Sequence, residues 1–424
     1  LSSTDGQLWM RRDRKGNRMG YRPTGYRAPE GGDDLYLTID TQLQFKLEQE
    51  LDKAMAKNNA TRSMGILMDP DTGAILAMAT RPAFDPNEFN KVDPELRRNR
   101  VVTDFFEPGS AFKLVTASAA LELGLVTKNT PIDCMGGRFN PYGHPIRDTH
   151  KLDVVPFWET YAQSSNIAII KVAAQLGDER LESWIRKFGF GACTGLEVQS
   201  ESPGYFRSRQ KWNGLSMGSL PMGQEIAVTM PQLAAAFSVV ANGGKMVTPH
   251  LVERTVSQEG EETYRFEEKK SRRIISEETA RVMRDLSHTV ITSEHGTGQK
   301  ASISEYRVGG KTGTAQIADP VKGGYYKDRY TTVFAGFAPI NDPKVTCVIV
   351  VSEPMVKLHY GGHVCGPVFR NVVRDALIDL KVPVDPMNAE IYKRNARLFA
   401  KDETQEINDA DTMGERVVLS AIEP

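Results

Sequence analysis

The chain has 424 residues, enough for a large core and for two or three domains. Its 53 basic and 54 acidic residues give a net charge of −1, and the lack of an overall basic field argues against nucleic acid as a partner. No apolar run approaches the roughly 18 residues that span a bilayer. The longest apolar stretches, such as residues 233–240, have the length of core helices.

The first half of the chain predicts short, well-marked elements. Residues 1–34 are rich in Arg and Gly and have no hydrophobic period long enough for a core. A helix is expected to begin at Asp40 or Thr41, because apolar residues recur every four positions after them. Strands at 64–68 and 74–79 follow, joined by a turn in which Gly73 can supply positive φ. Residues 110–122 and 167–176 are apolar nearly all round, which indicates helices buried inside the protein.

The second half predicts two more helices and then a strand-rich end. The helices are expected at 229–241 and 277–291, the strands at 306–315, 331–338 and 345–351, a loop at 318–329, and a closing helix at 368–380. The residues from Pro383 onward are charged and poorly periodic, which predicts a partly disordered extension. Strands at both ends with helices between them predict one sheet completed by both ends of the domain. A helical lobe would come from the middle.

Three short segments, widely separated and in a fixed order, carry the chemistry. They are Ser110-Ala111-Phe112-Lys113, Ser164-Ser165-Asn166 and Lys311-Thr312-Gly313, which form the S-x-x-K, S-x-N and K-T-G set of enzymes that acylate an active-site serine. A second S-x-x-K occurs at Ser208 and Lys211, within a polar stretch. Ser110 instead opens a small-residue, apolar run, which favours a serine held at the start of a buried helix.

On these motifs the chain resembles the class B (monofunctional) penicillin-binding proteins, the peptidoglycan transpeptidases. Glu107-Pro108-Gly109 before the serine, Thr314-Ala315 after Gly313 and the run 334–339 are also typical of that family. The match is nearly continuous from Leu35 to Val382. Ala111 departs from the family, in which Thr is common there, at a position that is not catalytic.

The resemblance implies an α/β (α+β) fold, the penicillin-binding transpeptidase or serine β-lactamase-like fold, with an antiparallel sheet flanked by helices and joined to a helical lobe. It divides the chain into a remnant of an N-terminal pedestal domain (1–34), a transpeptidase domain (35–382) and a C-terminal extension (383–424). It also implies a membrane helix upstream of Leu1. The catalytic domain would then lie at the cell inner membrane, on its periplasmic or other extracytoplasmic side.

Acyl transfer from an amide needs an activated nucleophile, a path for protons and a site for the oxyanion. Ser110 and Lys113 are three residues apart on a predicted helix, so their side chains share one face, one turn apart. Lys113 must be neutral to act as a base. Burial and the nearby positive charge of Lys311 are both expected to lower its pKa. The helix N-terminus at Ser110 favours developing negative charge.

The resemblance implies the roles of the other residues. The backbone N–H groups of Ser110 and Thr314 would form the oxyanion hole. Ser164 would relay a proton to the leaving amine, and Asn166 would hold the peptide amide.

The third motif is expected to bind the end of the substrate. By resemblance, the hydroxyl groups of Thr312 and Thr314, together with Lys311, would receive the substrate's terminal carboxylate. Gly313 suits a strand edge that a bound peptide must approach closely. No cofactor is implied by any of these residues.

Neither the histidines nor the cysteines point to a metal. His359 and His363 are spaced i, i+4, but Gly361-Gly362 between them predict a loop leading into the last helix, and no HExxH glutamate accompanies them. The four cysteines allow three full pairings, among which the sequence does not choose. They are Cys134, Cys193, Cys347 and Cys365. Cys347 lies in a strand-like run and is expected to be a buried small residue.

The leading hypothesis is a serine-type D-Ala-D-Ala transpeptidase that cross-links peptidoglycan stem peptides, is acylated by β-lactam antibiotics and acts with cell-division membrane proteins in septal wall synthesis. Asn166, where elongation-type relatives often carry Asp, favours the division type. The alternatives are a D,D-carboxypeptidase or β-lactamase on the same scaffold, or a non-catalytic division scaffold. Against a β-lactamase, no glutamate after Asn166 begins the E-x-x-L-N pattern. The first four glutamates after Asn166 are Glu179, Glu182, Glu197 and Glu201.

Overall fold

The structure, a computed structural model, describes residues 3–19, 25–141, 143, 145–267 and 271–398. Its α-helices are Thr41–Asn58 (α1), Arg100–Thr103 (α2), Lys113–Glu122 (α3), Phe157–Ala162 (α4), Asn166–Leu176 (α5), Asp178–Lys187 (α6), Ser216–Ser219 (α7), Met230–Ala241 (α8), Glu277–Thr292 (α9), Gly361–Val364 (α10) and Gly366–Asp379 (α11). A 3₁₀ turn, Gly109–Phe112, runs directly into α3.

The strands are numbered in the same way. They are Gln7–Trp9 (β1), Gly25–Arg27 (β2), Asp34–Leu37 (β3), Arg62–Met68 (β4), Ile75–Arg81 (β5), Pro131–Asp133 (β6), Arg138–Phe139 (β7), Ile146–Arg147 (β8), Val154–Pro156 (β9), Tyr205–Phe206 (β10), Ile226–Ala227 (β11), Lys245–Met246 (β12), Val252–Val256 (β13), Glu262–Arg265 (β14), Arg272–Arg273 (β15), Gly309–Ala318 (β16), Tyr325–Ala338 (β17) and Val345–Ser352 (β18).

The largest sheet is antiparallel and has the strand order β16-β17-β18-β4-β5. Two of its strands come from the start of the domain and three from its end, which confirms the predicted sheet completed by both ends. β4 and β18 are buried along nearly their whole length, because α1 and α11 pack together on one face of the sheet and α8 packs on the other.

Helix α1 shows how the sequence pattern becomes packing. Asp40 is its N-cap, and the Asp40 side chain accepts hydrogen bonds from the backbone N–H groups of Gln42 and Leu43. Leu43, Leu47 and Leu51 are fully buried against the sheet. Removing one such leucine side chain is expected to cost about 2–5 kcal/mol. The predicted start and apolar stripe of this helix are confirmed.

The helical lobe holds the start of α3 beside the sheet. Helix α3 packs against α5, α6 and α9, and its residues from Lys113 to Ala120 are all buried. The 3₁₀ turn in front of it packs against β16, the edge strand of the sheet. A helix that is apolar nearly all round is therefore surrounded by other helices, as its sequence predicts.

The segment predicted as a loop at 318–329 is mostly a β-hairpin. β16 and β17 continue beyond their predicted ends and pair Gln316 with Tyr330 and Ala318 with Tyr325. The hairpin is largely exposed from Ala318 to Tyr330. It therefore has no buried face, and the sequence shows no apolar alternation from which a strand could be predicted.

The short helix α10 replaces a second predicted loop. The sequence prediction took Gly361 and Gly362 as signs of a loop, and this was wrong. Both glycines serve close packing, because a Cβ on Gly361 would lie 2.4 Å from the Gly313 carbonyl oxygen and a Cβ on Gly362 would lie 2.0 Å from the Thr297 carbonyl oxygen.

Segments near both ends of the described chain contact the domain. β3 pairs with β13 in a three-stranded sheet of order β14-β13-β3. Residues 389–398 are helical, and the buried Asn395 donates hydrogen bonds to the Ile291 carbonyl oxygen at 2.9 Å and to Ser302 Oγ at 2.6 Å. The division of the chain at residues 35 and 383 stays a prediction, and most of the tail expected to be disordered lies outside the described residues.

All four cysteines are free thiols. Cys193 is exposed and the other three are buried, which confirms the prediction of a buried small residue at Cys347. In the part of the chain that the structure describes, no group of three or more His, Cys, Asp and Glu side chains is arranged to hold a metal ion. The described helices include none whose length and apolar character would let it cross a membrane.

Candidate active site

A cleft of about 530 Å³ opens beside the edge strand β16 and the helical lobe. Five residues predicted for the site line it: Ser110, Ser164, Asn166, Thr312 and Thr314. Lys113 and Lys311 lie next to them and are 1% and 0% exposed. Lys113 and Ser164 are 51 residues apart in the chain, and Ser164 and Lys311 are 147 apart. The fold therefore brings the three motifs together.

Ser110 lies in the 3₁₀ turn that close backbone contacts hold against β16. Gly109 has a φ of +51°, and a Cβ on it would lie 3.0 Å from the Thr314 carbonyl oxygen. A Cβ on Gly313 would lie 2.2 Å from the Pro108 carbonyl oxygen. Glycine is needed at both positions for this approach. As a result, Ser110 and Thr314 line the same cleft, while Gly313 packs against the turn.

The second motif holds the Lys113 amine. Lys113 Nζ donates hydrogen bonds to the Ser164 carbonyl oxygen at 2.7 Å and to Asn166 Oδ1 at 2.7 Å, and it lies 3.3 Å from Ser164 Oγ. Burial lowers the pKa of Lys113 to about 7, although the nearby negative charge of Asp148 opposes this shift. This direction agrees with the predicted lowering by burial, and the further lowering expected from the charge of Lys311 stays a prediction.

Ser164 lies between the two buried lysines. Lys311 Nζ donates a hydrogen bond to Ser164 Oγ at 2.8 Å, on the same oxygen that Lys113 Nζ contacts. The Ser164 backbone has a φ of +61°, an uncommon conformation for a residue with a side chain. Burial, and then the charge of Lys113, hold the pKa of Lys311 well below its ordinary value. One hydroxyl group therefore connects two amines that disfavour each other's charge.

The third motif lies on β16, with Lys311 opposite Ala335 of β17. Thr312 Oγ1 and Thr297 Oγ1 are hydrogen-bonded at 2.9 Å. Thr314 Oγ1 accepts a hydrogen bond from the Gly361 backbone N–H at 3.0 Å. Because β16 is at the edge of its sheet, the strand can pair with an extended peptide.

The second S-x-x-K segment lies elsewhere. Ser208 precedes the 3₁₀ turn Arg209–Lys211, and Lys211 is exposed. Neither Ser208 nor Lys211 lines the cleft. The preference for Ser110, which rested on its apolar surroundings, agrees with this placement.

Three residues contribute to the site although the sequence did not predict them there. They are Asp148, Thr297 and Gly361. Asp148 Oδ1 accepts a hydrogen bond from the Asn166 backbone N–H at 2.6 Å, while Thr297 bonds Thr312 and Gly361 bonds Thr314. Each contact joins residues far apart in the chain, so no local pattern could have indicated it.

Comparison with known proteins gives the family. The penicillin-binding protein transpeptidase domain matches residues 64–374. The chain is 32% identical to the stage V sporulation protein D of Bacillus subtilis over 404 residues, which is 93% of this chain and 61% of the relative. It is 33% identical to the penicillin-binding protein PbpB of Mycolicibacterium smegmatis over 398 residues, which is 91% of this chain and again 61% of the relative. The chain thus spans about three fifths of the length of these curated relatives.

The structure is similar to that of penicillin-binding protein 3 from Mycobacterium tuberculosis in its apo form. The two share 30% sequence identity and a TM-score of 0.79, over 85% of this chain and 82% of the other. The fold agrees with the one implied by the motifs. The chain therefore belongs to the penicillin-binding protein transpeptidase family, in its class B branch.

Proposed function

We propose that this chain carries a serine D,D-transpeptidase that cross-links peptidoglycan stem peptides and is acylated by β-lactam antibiotics. The observation that carries the proposal is the buried Lys113 amine, which follows Ser110 by one turn and contacts Ser164 and Asn166. An amine with a pKa of about 7 is partly neutral at physiological pH and can take a proton from a serine hydroxyl group.

Acylation would begin when Ser110 Oγ attacks the carbonyl carbon of the penultimate D-Ala and Lys113 takes the hydroxyl proton. The bond to the terminal D-Ala then breaks, and its amine needs a proton to leave. Ser164 Oγ is suited to pass that proton, because it contacts both lysine amines. In a β-lactam the same attack opens the ring amide, and the leaving amine stays attached to the acyl group.

The developing oxyanion would be stabilised by the backbone N–H groups of Ser110 and Thr314. The close packing of Gly109 on Thr314 supports this assignment, because it holds the two backbones side by side. The substrate's terminal carboxylate would bind Thr312, Thr314 and Lys311. An anion bound there would favour the charged form of Lys311.

The acyl-enzyme would then wait for an amine from a second stem peptide, which forms the new amide and restores the Ser110 hydroxyl group. Rapid hydrolysis would need a base that activates water, and the described residues that line the cleft include no Asp or Glu. Three of the four glutamates considered above are bonded elsewhere: Glu182 to Arg186, Glu197 to the Leu251 N–H, and Glu201 to Thr194. Glu179 is exposed on α6. These placements favour the transpeptidase over a β-lactamase.

We extend the proposal to a role in septal wall synthesis together with cell-division membrane proteins. The names of the relatives support it in outline, since one is a sporulation protein and another a penicillin-binding protein of the PbpB type. Peptidoglycan is assembled outside the cytoplasm, so the catalytic domain would act on the extracytoplasmic side of the membrane.

The test is to incubate the protein with a peptide ending in D-Ala-D-Ala, with and without an amine acceptor, and to analyse the products by mass spectrometry. A transpeptidase gives free D-Ala and a product in which the acceptor is joined to the shortened peptide. A shortened peptide without acceptor, even when acceptor is in excess, would identify a carboxypeptidase. Fast turnover of a chromogenic cephalosporin would identify a β-lactamase. If D-Ala is not released and no β-lactam adduct forms, only the hypothesis of a non-catalytic division scaffold remains.

A further inference from the structure

The carboxylate of Asp148 occupies the N-terminus of α5, the helix that begins with the second motif. Asp148 Oδ1 accepts hydrogen bonds from the backbone N–H groups of Asn166, at 2.6 Å, and Ile167, at 3.1 Å. Asp148 Oδ2 accepts one from Ser165 Oγ at 2.5 Å. The backbone N–H groups in the first turn of a helix have no partner within the helix. Asp148 satisfies two of them from outside.

The same short segment also fixes the side chain of Asn166. Asn166 Nδ2 donates to the Arg147 carbonyl oxygen at 3.2 Å, which leaves Asn166 Oδ1 directed to Lys113 Nζ at 2.7 Å. Asp148 itself is anchored by its own backbone N–H, which donates to the Gly137 carbonyl oxygen at 3.1 Å. Residues 147–148 therefore hold both the backbone and the amide group of Asn166.

This arrangement bears on Ser164 as well. Ser164 has left-handed backbone angles and is followed directly by Ser165 and Asn166, the two residues that Asp148 holds. Such a conformation persists when the surrounding contacts determine it. Without those contacts, the Ser164 carbonyl and hydroxyl oxygens could move away from Lys113.

We propose that Asp148 is a positioning residue for acylation, because its carboxylate fixes the start of α5 so that Ser164 and Asn166 meet the Lys113 amine. The inference rests on the proposed transpeptidase function and names a further residue on which that reaction depends. Asp148 acts through the second motif, and a substrate need not touch it.

The charge of Asp148 should also change the pH dependence of acylation, which a merely structural contact would leave unchanged. Asp148 raises the pKa of Lys113 against the effect of burial. Removing this charge would lower that pKa, so the neutral base would form at a lower pH. Among the described residues, Lys311 on β16 meets the Lys113 amine at Ser164 Oγ, and the histidines that line the cleft are His150, His295 and His363. Variants at Asp148 leave these groups unchanged.

The test measures the rate of acylation by a fluorescent penicillin as a function of pH for the wild type and three variants. Asp148→Asn keeps the shape of the side chain, and its amide can still bond Ser165 and the two backbone N–H groups, so it removes mainly the charge. Asp148→Ala removes charge and hydrogen bonds together. Asp153→Asn is the matched control, since it removes an exposed carboxylate five residues further along.

We expect the maximal rate of Asp148→Ala to fall on the order of 100-fold, as for a displaced catalytic group. Asp148→Asn should keep most of its maximal rate, with the acidic limb of its pH profile moved to lower pH, and Asp153→Asn should match the wild type.

Asp148 variants that match the wild type at every pH would overturn the inference while leaving the proposed function intact. If the alanine variant does not fold, the inference is tested with Asp148→Asn alone. An acidic limb of the Asp148→Asn profile that stays in place or moves to higher pH then overturns the inference. A wild type that is never acylated would instead refute the proposed function.

Discussion

The chain contains the S-x-x-K pattern twice, in two opposite surroundings. At Ser110 the lysine that follows is 1% exposed and its amine contacts Ser164 and Asn166. At Ser208 the turn is polar and the lysine is exposed. The residue types and their spacing are the same, so the difference in expected chemistry comes from what surrounds them.

The comparison indicates that burial is what would let the lysine act as a base. A lysine in water is charged at neutral pH and cannot accept a proton. Lys113 is buried at the start of α3, a helix that packs against α5, α6 and α9, and its pKa falls to about 7. The same burial holds its amine against Ser164, which Lys311 approaches from β16.

Replacing the lysine is expected to give the largest difference in acylation rate between the two S-x-x-K segments. Lys113→Arg keeps a positive charge, but arginine stays protonated and cannot act as the base. Its acylation rate with a fluorescent penicillin should fall by about 100- to 10,000-fold, the usual contribution of a general base. Lys211→Arg is the control and should react like the wild type. Near-normal acylation by a folded Lys113→Arg protein would mean that another group takes the proton.

A glycine near each segment offers a second comparison. Gly109→Ala places a side chain at a φ of +51° and 3.0 Å from the Thr314 carbonyl oxygen. The backbone strain should lower the free energy of unfolding by about 1–2 kcal/mol, and displacement of the turn should slow acylation by about 10- to 100-fold. Gly214→Ala, where a Cβ meets no atom within 4 Å, should leave both quantities near the wild type. Thermal denaturation and labelling rates measure the two effects, and equal behaviour of the two variants would contradict the packing argument.

The pH dependence of acylation should report the buried lysine. Below its pKa of about 7 the Lys113 amine is protonated, so the acylation rate should fall roughly tenfold for each further pH unit. Above pH 7 the base is mostly neutral and the rate should level off. The measurement is the labelling rate of the wild type across this range. A rate that keeps rising up to the pKa of an exposed lysine would show that burial does not neutralise Lys113.

The sequence predicted most of the sheet and the buried helices, because their apolar patterns are strong. Helix α1 is predicted directly by an apolar residue at every fourth position, as at Leu43, Leu47 and Leu51. The outer half of the β16–β17 hairpin was not predicted, because it is exposed and carries no such pattern. Gly361 gave the wrong prediction, because a glycine that allows close packing looks like one that allows a turn.

At the site, too, features with a local sequence pattern were predicted and features without one were not. The three motifs were found because each is a local pattern, and their meeting follows from the family fold. Asp148 and Thr297 were not found, since their roles depend on contacts between residues distant in sequence. The motifs identify the residues expected to act on a substrate, and only the structure shows the residues that contact them from distant parts of the chain.

The central claim is that Ser110, and not Ser208, is the nucleophile of a slowly deacylating enzyme. The most direct measurement is intact-protein mass spectrometry after exposure to a β-lactam, followed by peptide mapping, for the wild type, Ser110→Ala and Ser208→Ala. The account predicts one adduct per chain on the peptide that contains Ser110, lasting minutes to hours, in the wild type and in Ser208→Ala, and no adduct in Ser110→Ala. An adduct that persists in Ser110→Ala would contradict the account, and so would rapid release of hydrolysed β-lactam by the wild type.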